Sequence, residues 1–149
     1  MSPENIFTLC STIALAGWII LIFIPFWRSS DKFITGIIAT LFCIVYAWLI
    51  FSNFSFSDLQ KFNSLQGVME LFTNPFVATA GWIHYLAFDL MTGLFISHNA
   101  RLHHLNHWLI TPCLFFTFML GSVGLLLYFI VRIIATKKYF SANFSTSTL

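Results

Sequence analysis

The sequence predicts an all-α integral membrane protein: a four-helix bundle with a short interfacial amphipathic helix between helices 2 and 3. Three observations point there. Apolar and aromatic residues make up 58% of the chain against 8% charged, and the mean hydropathy is +0.86. A water-soluble domain carries about a quarter of its residues as charges to cover its surface, so lipid must cover this one. Apolar runs of about 20 residues, the length that crosses a bilayer core, recur over 5–27, 32–52, 75–97 and 111–134. Each run is preceded by a capping oxygen, in Ser2-Pro3-Glu4, Ser30-Asp31, Asn74-Pro75 and Thr111-Pro112, three of them with proline at the first helical position.

The elements follow in order as one transmembrane domain. Met1 to Asn5 contains no Lys or Arg and so lacks the basic leader of a cleaved signal peptide, which leaves the first run in place as a helix. Cys10, Cys43 and Cys113 lie inside apolar runs without paired spacing, which argues for inert thiols and against a disulfide framework or a zinc ribbon. After the second run, Phe56, Leu59, Phe62, Leu65 and Met69 recur every three or four residues. That periodicity, with Ser57 and Gln60 in capping-box spacing, predicts a helix over 57–72 lying in the interface as a lid; a solvated connector is the alternative. The polar tail over 139–149 is expected to fray. Four spans place both termini on one side with Lys61, Arg132, Lys137 and Lys138, against Arg28, Lys32 and Arg101 on the other. The positive-inside rule then makes the termini cytoplasmic. A formal charge of +2 gives no basic face for nucleic acid.

The third helix carries the only acid deep inside a span, Asp89. An ionisable group at that depth costs about 2.5 to 3.5 kcal/mol or more, so it should face the bundle interior, have a partner and mark a site. At about 100° per residue, Ala78, Gly81, Tyr85, Asp89 and Thr92 share one sector, with His84 about 140° from Asp89. A Tyr85–Asp89 pair that merely fixes helix packing is the plainer reading. The additional Trp82 and His84 exceed what packing requires. On the fourth helix Gly121 and Gly124 permit close backbone approach, while Arg132 either snorkels to the interface or turns inward to clamp a polar group. The segment 98–107 reads as a loop and holds His98, His103, His104 and His107, of which His103 and His107 have the spacing of one helical face. No Cys or carboxylate joins them, so the reading is solvated interfacial histidines and no metal. There is no phosphate loop, dinucleotide fingerprint or nucleophile elbow, and no cofactor is expected.

The string from Gly81 to Leu90, GWIHYLAFDL, preceded by LQGVMELF over 65–72, resembles the ABA-deficient-four-like membrane protein family. So do His107, Pro112, the stretch from Phe116 to Tyr128, and Arg132, although proline is more usual in the family where Ser122 stands. Plant members of that family are required to make neoxanthin from violaxanthin, an isomerisation that opens an epoxide and creates an allene. The resemblance therefore implies a carotenoid-related role, needing an acid for the epoxide oxygen and a base for a vinylic proton, with no redox cofactor.

These readings combine into one expectation. A membrane-embedded isomerase or binding protein takes a carotenoid or isoprenoid-like lipid, an apolar lipid or polyene entering from the bilayer. Asp89 is the acid and His84 the base, with Tyr85 orienting the oxygen as a third catalytic residue. Trp82, Phe88, Thr92, Gly121, Tyr128, Arg132 and His107 line the substrate site. Without an extended plastid leader the chain reads as bacterial and of the inner membrane, with a homo-oligomer open. The alternatives are a non-catalytic membrane scaffold and, last, a proton or ion translocator, for which the first two helices offer almost no polar lining.

Overall fold

The computed structural model describes residues 1–24 and 30–139, and every regular element among them is helical. The elements are α1 (Pro3–Phe23), α2 (Ser30–Phe33), a π-helical stretch (Ile34–Ala39), α3 (Thr40–Asn53), a 3-10 helix (Phe56–Asn63), α4 (Leu65–Leu71), α5 (Pro75–Leu102), α6 (His107–Leu120) and α7 (Ser122–Thr136). The π stretch joins α2 to α3 without a break, so the chain forms one long helix there. The sequence positions 25–27, expected to end the first span, and 140–149 of the expected tail lie outside the described residues.

Local chemistry sets most of the boundaries. The Ser2 hydroxyl accepts from Asn5 N–H at 3.3 Å and the Asn74 carbonyl from Phe76 N–H at 3.0 Å, each ahead of a proline. The start expected at Thr111-Pro112 moves. Asn106 caps α6 instead, accepting from Trp108 N–H at 3.1 Å, and Pro112 lies inside the helix. Proline there removes a backbone donor, but its ring sits early enough in α6 to leave the rest of the helix intact.

α5 is the central element, with α1 and α3 packed along it. A Cβ added to Gly93 would lie 2.8 Å from the Trp18 ring, and one on Gly17 would lie 3.0 Å from Leu90. These small residues let α1 and α5 approach closely. Trp18, Phe42, Leu49, Ile83, Leu90 and Ile96 are fully enclosed. The outer surface is apolar too: Ile44, Phe51, Phe88, Leu126 and Ile134 all point outward. Pro3–Phe23 and Asp31–Asn53 are long and apolar enough to cross a membrane.

The expected fourth span is replaced by two shorter helices, and the four-helix count does not hold. Gly121 adopts φ +50° and ψ −98°, a conformation that L side chains rarely take, and it separates α6 from α7. α7 then doubles back. The Cβ position of Gly124 falls on the Thr117 backbone and the Cys113 carbonyl, so the two helices touch along their first turns beyond the bend. α6 leaves the C-terminal end of α5 and climbs to Gly121, whose Cβ position is 2.8 Å from Asp89 Oδ1 in the middle of α5. α7 descends again, placing Tyr128 beside Phe95 and Arg132 beside Asn99.

The hairpin puts the beginning of α1 and the end of α7 at opposite ends of the bundle, whereas an unbroken fourth helix would bring them to the same end. Lys32, Arg101, Arg132, Lys137 and Lys138 gather at the end where α5 finishes, and Lys61 stands at the other with Glu4, Asp58 and Glu70.

The segment expected as one interfacial helix is a 3-10 helix and α4, broken at Ser64. Its capping pair is Ser55 and Asp58 rather than Ser57 and Gln60: Ser55 N–H donates to Asp58 Oδ2 at 2.9 Å. Lys61 Nζ lies 3.0 Å from Asp58 Oδ1 and 3.6 Å from Glu70 Oε1. The Ser55 N–H and the Lys61 ammonium hold the Asp58 carboxyl below the usual carboxylate range. Phe56, Leu59, Phe62, Leu65 and Met69 are all exposed.

Candidate functional site

Asp89 is the pivot. It sits midway along α5 with 8% of its surface exposed, at the point where the α6–α7 bend meets the helix. The Tyr85 side chain stands one turn earlier on the same face, beside its carboxyl group. Oδ2 is buried and has no hydrogen-bond partner among the described residues. Oδ1 rests against Gly121, the residue that opens α7, so the carboxylate faces the positive end of that helix. Residue 121 has to be glycine on two counts, its backbone angles and the absence of room for a Cβ.

Next to this point lies an apolar cavity of about 440 Å³ between α1 and α6, with Leu15, Trp18, Ile22, Pro112, Phe115 and Phe118 in its walls. Trp18 packs against Gly93, one turn beyond Asp89, and Phe118 precedes the Gly121 bend by three residues. Trp18 and Phe118 thus connect its wall to the helices that carry Asp89 and Gly121, and neither of those two residues lines it.

A second buried polar cluster lies ten residues further along α5. The Asn99 carbonyl accepts from the Tyr128 hydroxyl at 2.5 Å and from Arg132 Nη1 at 3.1 Å. Arg132 also stands over the Phe129 ring at 5.1 Å, a cation–π contact. Arg132 thus turns inward, with 6% of its surface exposed, rather than snorkelling to the interface. Its partner is an amide of the protein.

The remaining expected site residues disperse. His84 is exposed, its ring 4.5 Å from that of Phe88 and 5.4 Å from that of Tyr46, on the face of α5 away from Asp89. His84 therefore does not stand opposite Asp89 as the base of an acid–base pair. Trp82 faces α1, donating from Nε1 to the Ser11 hydroxyl at 3.0 Å and stacking on Phe7. Thr92 returns its hydroxyl to the Phe88 carbonyl, and Phe88 points outward. His107 Nε2 lies 2.9 Å from the Ile22 carbonyl, where it meets the exposed end of α1. His103 and His107 do not share a helical face, because α5 ends at Leu102 and His104 takes φ 54°. Among the described residues no three His, Cys, Asp or Glu side chains converge as metal ligands would.

Asn99 is the residue that the sequence reading missed, because 98–107 was read as a loop. The signal was present: continuing the helix at about 100° per residue puts Asn99 in the same sector as Tyr85, Asp89 and Thr92.

Fold and site together define an all-helical protein whose central helix carries a buried carboxyl group against the bend of a helical hairpin. A family model described as ABA DEFICIENT 4-like matches residues 5–128. The match covers most of the chain, and the protein belongs to that family. Comparison with curated proteins and with solved structures gives no match.

Proposed function

We propose that this is an integral membrane protein that binds an apolar polyene or isoprenoid-like lipid and isomerises it with Asp89 as the acid. The observation that carries the reading is the carboxyl group itself: Oδ1 lies against the hairpin bend, and Oδ2 is buried without a hydrogen-bond partner among the described residues, on a helix packed against Trp18 of the cavity wall. Buried polar atoms are almost always satisfied, so an exception calls for an explanation, and a substrate group that binds there is the one this reading supplies. The outward-facing apolar side chains on every long helix support residence in lipid.

His84 lies on another face, so the base has to come from the same carboxyl group. Protonated Asp89 donates to an oxygen on the substrate as its C–O bond opens. The carboxylate so formed removes the proton from the adjacent carbon, and the electron pair of that C–H bond completes the new double bond. The acid is restored, no atom is gained or lost, and no cofactor enters. Tyr85 holds the carboxyl group in place through the exchange. Family membership adds the expectation that the substrate is a carotenoid or a chemical relative of one.

A second reading is favoured by the contact between Asp89 and Gly121: the carboxylate fastens the hairpin and the protein is a scaffold. Mass spectrometry of lipid and pigment extracts separates the two. Cells making a polyene lipid would express the wild type or Asp89→Asn at matched membrane levels. An isomerase yields a species of shifted retention and unchanged mass with the wild type alone. Identical extracts would overturn the catalytic reading.

A further inference from the structure

We infer that α6–α7 is a re-entrant hairpin, so that the chain crosses the bilayer three times and the end of the bundle carrying Lys32, Arg101, Lys137 and Lys138 faces the cytoplasm. This rests on the membrane reading proposed above and adds which way the protein sits.

Length comes first. A helix needs about 20 residues to span a hydrocarbon core of about 30 Å. α6 has 14 residues and α7 has 15. Neither crosses alone, and they are not stacked end to end, because Gly124 lies against Thr117 and Cys113. Three contacts track α7 down α5 in the same direction: Gly121 at Asp89, Tyr128 at Phe95 and Asn99, and Arg132 at Asn99. α6 begins where α1 ends, with His107 on the Ile22 carbonyl. Both feet of the hairpin therefore stand at one end of the bundle and its tip is at mid-depth.

A bend at that depth exposes backbone groups that lipid cannot satisfy, and irregular backbone is tolerated there only when protein covers it. Gly121 meets this condition: it is buried, its N–H donates to Thr117 O at 2.8 Å, and its carbonyl accepts from Gly124 N–H at 3.1 Å.

Charge then fixes the direction. With three crossings, the rim at the foot of the hairpin has Lys32, Arg101, Lys137 and Lys138 exposed, against Asp31 alone among exposed acids of the described helix ends there. The opposite rim has Lys61, already bonded to Asp58, with Glu4 and Glu70. Short basic segments beside spans are retained on the cytoplasmic side. The beginning of α1 and the 3-10 helix consequently face outward, and the hairpin lies in the cytoplasmic half of the bundle.

Cysteine labelling tests this in spheroplasts of a bacterial host, using Asn63→Cys and Lys138→Cys, both exposed positions. Both are made in a Cys43→Ser background, because Cys43 is exposed whereas Cys10 and Cys113 are buried, and that background alone serves as the blank. A membrane-impermeant maleimide should label Asn63→Cys in intact spheroplasts and Lys138→Cys only after lysis. Labelling of both in intact spheroplasts, or of both only after lysis, would restore four crossings and overturn the hairpin. The reverse pattern would overturn the orientation. Alkaline carbonate extraction of the same membranes keeps the two readings apart: release of the chain would sink the membrane reading itself, whereas retention with a wrong labelling pattern would sink only the topology.

Discussion

Two buried polar sites lie on the same helix ten residues apart, and they are built differently. At Asn99 one side-chain carbonyl takes two donors from α7, and the cluster ties the hairpin's foot to α5. At Asp89 the Tyr85 side chain lies one turn back on its own helix, and Oδ2 is buried without a hydrogen-bond partner among the described residues. A polar group that joins two elements and is satisfied by both specifies packing. Under the proposed function the buried carboxyl oxygen is the one that meets the substrate. On that proposal the difference separates the fastening of this fold from its chemistry, although both would look alike as polar residues in an apolar helix.

Variants at the two sites sharpen the comparison. The largest loss of stability is expected from Asn99→Leu, which strips Tyr128 and the Arg132 guanidinium of a shared acceptor; thermal unfolding in detergent should show a cost of about 3 kcal/mol or more. Gly121→Ala comes next. Its backbone angles alone cost about 1–3 kcal/mol for a residue with a Cβ, and that atom would sit 2.8 Å from Asp89 Oδ1; the variant should unfold earlier and also lose conversion. Asp89→Asn keeps the size and the place beside Tyr85, so its unfolding should shift by no more than about 1 kcal/mol, while conversion falls by about 100-fold or more through loss of the acid. At the bottom of the scale is Lys61→Ala in the exposed 3-10 helix, which should leave the unfolding temperature unchanged at neutral pH, since exposed ion pairs contribute little. The pH dependence there has a definite sign. Asp58 has a lowered pKa in the folded protein, so its small contribution is present above its unfolded pKa and disappears as pH falls through the folded value.

The sequence was informative where a local rule decides and silent where tertiary folding does. Hydropathy and the Ser2 and Asn74 caps located the starts of α1 and α5, and the depth of Asp89 singled it out as a buried carboxyl before any contact was known. The apolar run over 111–134 hid a bend, because Gly121 followed by Ser122 breaks neither hydropathy nor periodicity; only the positive φ at residue 121 reveals it. That one residue reverses α7, moves the end of α7 to the other end of the bundle and regroups the basic residues. Arg132 illustrates the same limit. Its position near the end of an apolar run is compatible with snorkelling, and Asn99, read as loop, turned it inward. His84 and Asp89 sit close in sequence, but an angle of about 140° on a helix puts them on different faces.

The most direct test pairs two measurements on two variants, unfolding temperature and substrate conversion for Asp89→Asn and Asn99→Leu in the same membranes. Asp89→Asn should unfold like the wild type and convert nothing, while Asn99→Leu should unfold at a markedly lower temperature. An Asp89→Asn protein that still converts its lipid, or that unfolds as early as Asn99→Leu, would contradict the assignment of chemistry to one site and fastening to the other.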